Sequence, residues 1–231
     1  LGVLPKDPSP LRLGRGAQTE VEERLRAART NVLHALSHGA RQVVVVTSAG
    51  PREGASTTAA GLARVLALSG HRVVLVGGDL RSPSAVGAPG APGLAEVLVG
   101  TARLSQVLVE GEVPGLELLP AGDMPGNPSE LLGGRNMSDL LHHLAADRIV
   151  IIDAPPVCRF TDAVVLAEYA GGVLLVARAG RTSAEELREA ALAVGQGGGH
   201  MLGVVLTNVS DLGRGSRSAQ TAVTHAESAT V

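Results

Sequence analysis

Aromatic side chains are almost missing from these 231 residues: there is no tryptophan, one phenylalanine (Phe160) and one tyrosine (Tyr169). A core must therefore be packed with Val, Leu, Ile and Ala, which suits a parallel sheet covered on both faces. Cysteine is nearly absent as well. Cys158 alone excludes an internal disulfide framework and suits a reducing compartment. The net charge is only −2, so no basic face is expected to recruit nucleic acid. No apolar run approaches the ~20 residues that span a bilayer. Lysine is the sharpest absence, because Lys6 is the single lysine among 20 basic residues. The chain opens on Leu1 rather than Met, which suggests a piece of something longer.

What is present alternates. Short apolar, mostly β-branched runs at Val43–Thr47, Val73–Val76, Leu116–Leu119, Ile149–Ile152, Val173–Ala177 and Val204–Thr207 read as strands. Between them the spacing predicts helices over about 56–68, 94–99, 104–109, 162–169 and 183–194, with one or two more inside 129–145. Ahead of the first strand, Thr19 caps a helix whose apolar stripe is Leu25, Ala28, Val32, Leu33 and Leu36, and Gly39 closes it. Residues 1–18 are rich in Pro and Gly and read as a linker. Residues 19–212 read as one domain, and 213–231, polar and aperiodic, as a disordered tail. The length suffices for one sizeable core, and the alternation predicts an α/β fold with a doubly wound, mostly parallel sheet.

The chain is organised around Val43-Val44-Val45-Val46-Thr47-Ser48-Ala49-Gly50-Pro51-Arg52-Glu53-Gly54-Ala55-Ser56-Thr57-Thr58. A buried strand, a glycine-bearing loop and a helix start make an anion cradle from backbone N–H groups whatever the side chains are. Ser56 stands where a hydroxyl would take Mg²⁺. By itself such a loop could equally be a tight βα turn. Two further stretches bear on it. Asp79 follows Val73–Val76 and Asp153 follows Ile149–Ile152, and an acid at the C-terminal end of a buried strand points into the ligand crevice of an α/β sheet. One such acid is often only a helix N-cap. Two of them behind a phosphate loop point to a nucleotide–Mg²⁺ site.

The combination resembles the bacterial tyrosine kinases, cytoplasmic domains of polysaccharide co-polymerases within the MinD/ParA-like P-loop superfamily. Ala49–Thr57 is similar to the family's Walker A loop, Gly77–Arg81 to its Asp-x-Asp-x-Arg box (Walker A′), and Ile149–Asp153 to Walker B. Arg29-Thr30-Asn31-Val32, Gly126–Leu132, Asp153–Pro156 and Gly203–Leu206 extend the likeness, and Leu1–Pro5 resembles a juxtamembrane segment of fused members. The resemblance implies ATP or ADP held by Gly50, Pro51, Arg52, Glu53, Gly54, Ala55, Ser56, Thr57 and Arg81, and Asn208 is placed near the base only by its position after the last strand. It also implies Mg²⁺ on Ser56 and Asp153, and catalytic carboxylates at Asp79 and Asp153. Glu23-x-x-Arg26-x-x-Arg29 is similar to the family's ring-assembly motif and implies a homo-oligomer. The same spacing equally allows plain intrahelical pairing on a solvated face. By resemblance, the partner is a membrane co-polymerase subunit, fused or separate, on the cytoplasmic side of the bacterial plasma membrane. The setting is exopolysaccharide or capsule biosynthesis.

Four departures gather at the chemistry. Ala55 stands where the Walker A lysine belongs, Arg52 replaces a loop glycine, Gly77 replaces the first Asp of Walker A′, and the family's C-terminal tyrosine cluster is missing. Phosphoryl transfer rests on positioning and charge neutralisation. Losing a cation there removes a contribution of ~3–4 kcal/mol, or ~100- to 1000-fold in rate. The expectation is a degenerate kinase-like domain that assembles and binds partners. One alternative is an active ATP-dependent protein-tyrosine kinase in which Arg52 takes the lysine's place. Another is a MinD/ParA-like positioning ATPase, which relies on the same lysine. His142, His143 and Cys158 read as uninvolved.

Overall fold

The computed structural model describes residues 2–5, 20–37, 41–82, 86, 88 and 90–209. Its strands are β1 (Gly2–Pro5), β2 (Val43–Ser48), β3 (Val73–Gly77), β4 (Val109–Glu110), β5 (Leu116–Leu119), β6 (Ile149–Asp153), β7 (Gly172–Arg178) and β8 (Met201–Val209). They form one sheet in the order β1-β8-β7-β2-β6-β3-β5-β4. Every neighbouring pair is parallel except β4 with β5.

Continuous apolar strands are what a sheet covered on both sides requires. Val43, Val45, Val74, Val76, Val150, Ile152, Val173 and Leu175 pack into one layer. Their neighbours Val44, Val46, Val73, Leu75, Ile149, Ile151, Leu174 and Val176 pack into the other. Helices α1 (Glu20–Leu36) and α2 (Ala55–Leu68) cover the second face. The first is covered by α3 (Leu94–Val99), α4 (Leu104–Val107), α5 (Pro128–Leu132), α6 (Arg135–Ala145), α7 (Asp162–Ala167) and α8 (Ala184–Gln196). The expected α/β class with a doubly wound, mostly parallel sheet is what forms.

Several local expectations differ. Gly2–Pro5, read as linker, is an edge strand parallel to β8, with Gly2 opposite Val205 and Val3 opposite Leu206. Its backbone groups complete a ladder that would otherwise be an open edge. Residues 6–19 and 213–231, the Thr19 cap and the Gly39 stop lie outside the described residues. The helix expected over 104–109 stops at Val107, because Leu108 is extended and Val109–Glu110 turns back antiparallel on β5. Gly133 and Gly134 divide the 129–145 stretch into α5 and α6. Tyr169, expected inside a helix, lies beyond the end of α7, where its hydroxyl donates to the Gly133 carbonyl at 3.0 Å. The last strand extends to nine residues.

Parallel register brings the strand ends that matter to one rim. Val46 and Gly77 both lie opposite Asp153, Ser48 opposite Val176, and Arg178 opposite Thr207.

Candidate nucleotide site

Between β2 and α2 the chain turns through two left-handed residues, Arg52 (φ 61°) and Gly54 (φ 101°). Glycine adopts that conformation freely, whereas a residue with a Cβ loses roughly 1–2 kcal/mol. Side chains from four elements hold the loop's carbonyls. Ser48 Oγ donates to Gly50 O at 2.8 Å, and Arg178 Nη1 to Arg52 O at 3.0 Å. Thr207 Oγ1 donates to Glu53 O at 2.6 Å, and Thr58 Oγ1 to Gly54 O at 2.8 Å. In a trans peptide the N–H lies opposite the C=O. Carbonyls drawn toward Arg178 of β7 and Thr207 of β8 therefore turn the N–H groups of Glu53 and Gly54 away from those strands. Gly54 caps α2 without a side-chain hydrogen bond. The N–H groups of the 14-residue helix's first turn remain disposed for an anion.

The acids converge on that loop. Asp153 is 3% exposed at the end of β6, between β2 and β3. Burial pushes its carboxyl up to about 7, with the Asp79 charge adding and a hydrogen bond from Ser56 opposing. Burial also raises Asp79, against backbone N–H donors from Arg81 and Ser82. Gly78 N donates to Asp153 O at 2.8 Å, which docks the Walker A′ segment on β6. Among the described residues, no group of three or more His, Cys, Asp or Glu is spaced to hold a metal. Mg²⁺ needs no such cage, because it is commonly held by one or two carboxylates, waters and the substrate's phosphates. Ser56, Asp153 and Asp79 fit that mode. Ala55, 9% exposed, brings no cation to the phosphates, and Gly77 brings no carboxylate.

The other expected site residues fall variously. Arg52 is exposed, while Pro51, Ser56 and Thr57 are half-buried. Glu53 is 4% exposed, and its Oε2 has no partner among the described residues. Asn208 follows Thr207 in β8, with a φ of 60°. Arg81, expected on the nucleotide, is engaged elsewhere. Its Nε and Nη2 donate to Asp162 at 2.7 and 3.0 Å, Nη2 also donates to Ser129 Oγ at 2.9 Å, and the guanidinium lies 4.8 Å from the Phe160 ring centre. Ser129 donates a further hydrogen bond to Asp162. On α1, Glu23 pairs with Arg26 of the same helix at 3.3 Å, and Arg29 is half-buried.

Sequence reasoning missed Asp162, Arg178 and Thr207 as supports of the site. Ser129 lay within a stretch that carried the resemblance, but nothing local announced its partner. Thr58 was legible in principle, because a hydroxyl four residues after the N-cap reaches back to the carbonyl there.

No protein-family model matches the chain. Tyrosine-protein kinase YwqD of Bacillus subtilis is 36% identical over 188 residues, covering 80% of this chain and 79% of that protein. Tyrosine-protein kinase ptk of Acinetobacter johnsonii is 34% identical over 191 residues, 81% of this chain but 26% of that one. The chain thus spans about a quarter of some relatives and about four-fifths of others. Among solved structures, the chimerical protein CapA2B2 superposes with a TM-score of 0.85 at 31% identity, covering 91% of this chain and 94% of the other. The kinase domain of Escherichia coli tyrosine kinase ETK gives 0.82 at 27% identity, covering 93% and 91%. The septum site-determining protein MinD of Pyrococcus horikoshii, solved with Mg-ADP, gives 0.61 at 20% identity over 78% and 76%, a likeness of fold.

Proposed function

Because the chain belongs to the bacterial tyrosine kinase family, we propose that it is a kinase-like domain that binds Mg²⁺-nucleotide weakly, has lost most phosphoryl transfer, and acts as an assembly module. The observation that carries this reading is the divided state of the site. The tethered loop and the Ser56–Asp153 hydrogen bond are kept, while Ala55 and Gly77 stand where a cation and an acid belong. The loop N–H groups would hold the phosphates, and Ser56 and Asp153 the metal. A bound Mg²⁺-nucleotide would supply the transferable phosphoryl group and its counter-charge. Positioning without charge neutralisation leaves that transfer slow.

Arg52 as a replacement cation would have to turn inward, and its exposure supports the reading without it. A positioning ATPase would need the lysine as well, so Ala55 weighs against that reading too. We place the domain beside a membrane co-polymerase subunit, fused or separate, on the cytoplasmic side of the plasma membrane, in exopolysaccharide or capsule production. The family resemblance supports this setting. Ring assembly through Glu23, Arg26 and Arg29 belongs to the same reading. Among the described residues, no helix is long and apolar enough to cross a membrane.

Titration of fluorescent ATP and ADP, with and without Mg²⁺, tests the proposal. The expected result is saturable, Mg²⁺-dependent binding that Asp153→Ala abolishes, with no labelled phosphate reaching Tyr169 or a partner. Phosphate incorporation that depends on Asp153 would overturn the loss of catalysis. Absence of binding up to millimolar nucleotide would remove the nucleotide and leave only a scaffold.

A further inference from the structure

The third residue before Ala55 is in the left-handed region, yet it is arginine. Asn or Asp could ease that conformation with a short local hydrogen bond, which an arginine side chain does not supply. Something outside the loop must hold the peptide, and the contacts identify it. Arg178, the last residue of β7, donates from Nη1 to the Arg52 carbonyl at 3.0 Å. Its own backbone N–H donates to Thr182 Oγ1 at 2.8 Å, which fixes the strand end from which the side chain reaches. In the sheet Arg178 lies opposite Thr207, whose hydroxyl takes the next loop carbonyl, Glu53 O, at 2.6 Å. Two adjacent peptides of the loop are therefore held by two adjacent, paired strands. The gap from strand end to loop calls for a long side chain, and a guanidinium makes the bond charge-assisted.

We propose that Arg178 is a positioning residue of the phosphate loop. It holds the Arg52 peptide in the left-handed turn that a glycine would adopt unaided, and so keeps the loop's N–H groups aligned for an anion. The consequence for nucleotide rests on the function proposed above, whereas the clamp itself does not.

The test is a double-mutant cycle in the full chain with Arg178→Ala, Arg52→Gly and the pair, beside Arg178→Lys. Amide hydrogen exchange at Thr58, whose N–H donates to the Gly54 carbonyl at 2.9 Å where the loop enters α2, is read without nucleotide, and Mg-ADP affinity separately. Arg178→Ala is expected to speed exchange at that amide about fivefold, the scale of one hydrogen bond, while β2 and β6 keep their protection. Arg178→Lys, which keeps a charged donor, restores most of the protection. With Arg52→Gly in place, removing Arg178 changes exchange less than about twofold, because glycine needs no clamp. An equal effect in both backgrounds, no effect at all, or a loss of protection spread over the whole sheet would overturn the proposal. Mg-ADP affinity should follow the same pattern. If no variant binds nucleotide, the proposed function fails while the exchange cycle still decides the clamp.

Discussion

At Asp162, a carboxylate with no exposed surface meets the Arg81 guanidinium through both oxygens and accepts from Ser129. Burial alone would push its carboxyl up, but the Arg81 and Ser129 hydrogen bonds outweigh it and hold the group below the usual 3.8. A depressed folded value means stability that is present above the unfolded value and lost as pH falls through the folded one. Asp162→Asn should therefore cost roughly 2–4 kcal/mol in urea unfolding at pH 7 and less at pH 3, the difference growing as pH falls further. A cost that is the same at both pH values would show the loss to be one of packing. Ala55 carries a prediction of opposite direction. Ala55→Lys should tighten Mg-ADP by about 10- to 100-fold, the scale of a charge-assisted hydrogen bond, as read by the fluorescent titration.

Among the elements, β3 and β6 meet so closely beyond Gly77 that a side chain has no room. A Cβ on Gly78 would stand 2.6 Å from Ile152 Cγ2 and 3.0 Å from the Asp153 carbonyl. Gly78→Ala is expected to cost about 1–3 kcal/mol by overpacking. It should also part Asp79 from Asp153, so thermal melting and Mg²⁺-nucleotide affinity should fall together. Strand and helix cores were legible because a run of β-branched residues and an apolar stripe are local patterns. Boundaries were less so. Leu104–Val109 has helical spacing, yet Val109, with Glu110 after it, pairs with β5, because an open strand edge offers hydrogen bonds that a short helix end lacks. Tyr169 fell outside α7 once its hydroxyl found the carbonyl of Gly133, 36 residues away in sequence.

On the scale of the molecule, β1 is the least expected part, since a Pro/Gly-rich start carries no strand pattern of its own. Its pairing protects β8, and β8 supplies Thr207 to the phosphate loop. A chain shortened to begin at residue 19 should melt at lower temperature and show faster amide exchange along Met201–Val209. Unchanged exchange there would mean the edge pairing adds nothing in solution.

The α/β class, the phosphate loop and the two strand-end acids were determined by the sequence itself, because hydrophobic period, glycine placement and turn chemistry act over a few residues. Three decisions belong to the tertiary structure: Arg81 on Asp162, Arg178 on Arg52 and Thr207 on Glu53. Their sequence separations are 81, 126 and 154 residues. No local pattern encodes such partners, since they meet only after crossover helices have set the order of the parallel strands and brought the strand ends to one rim.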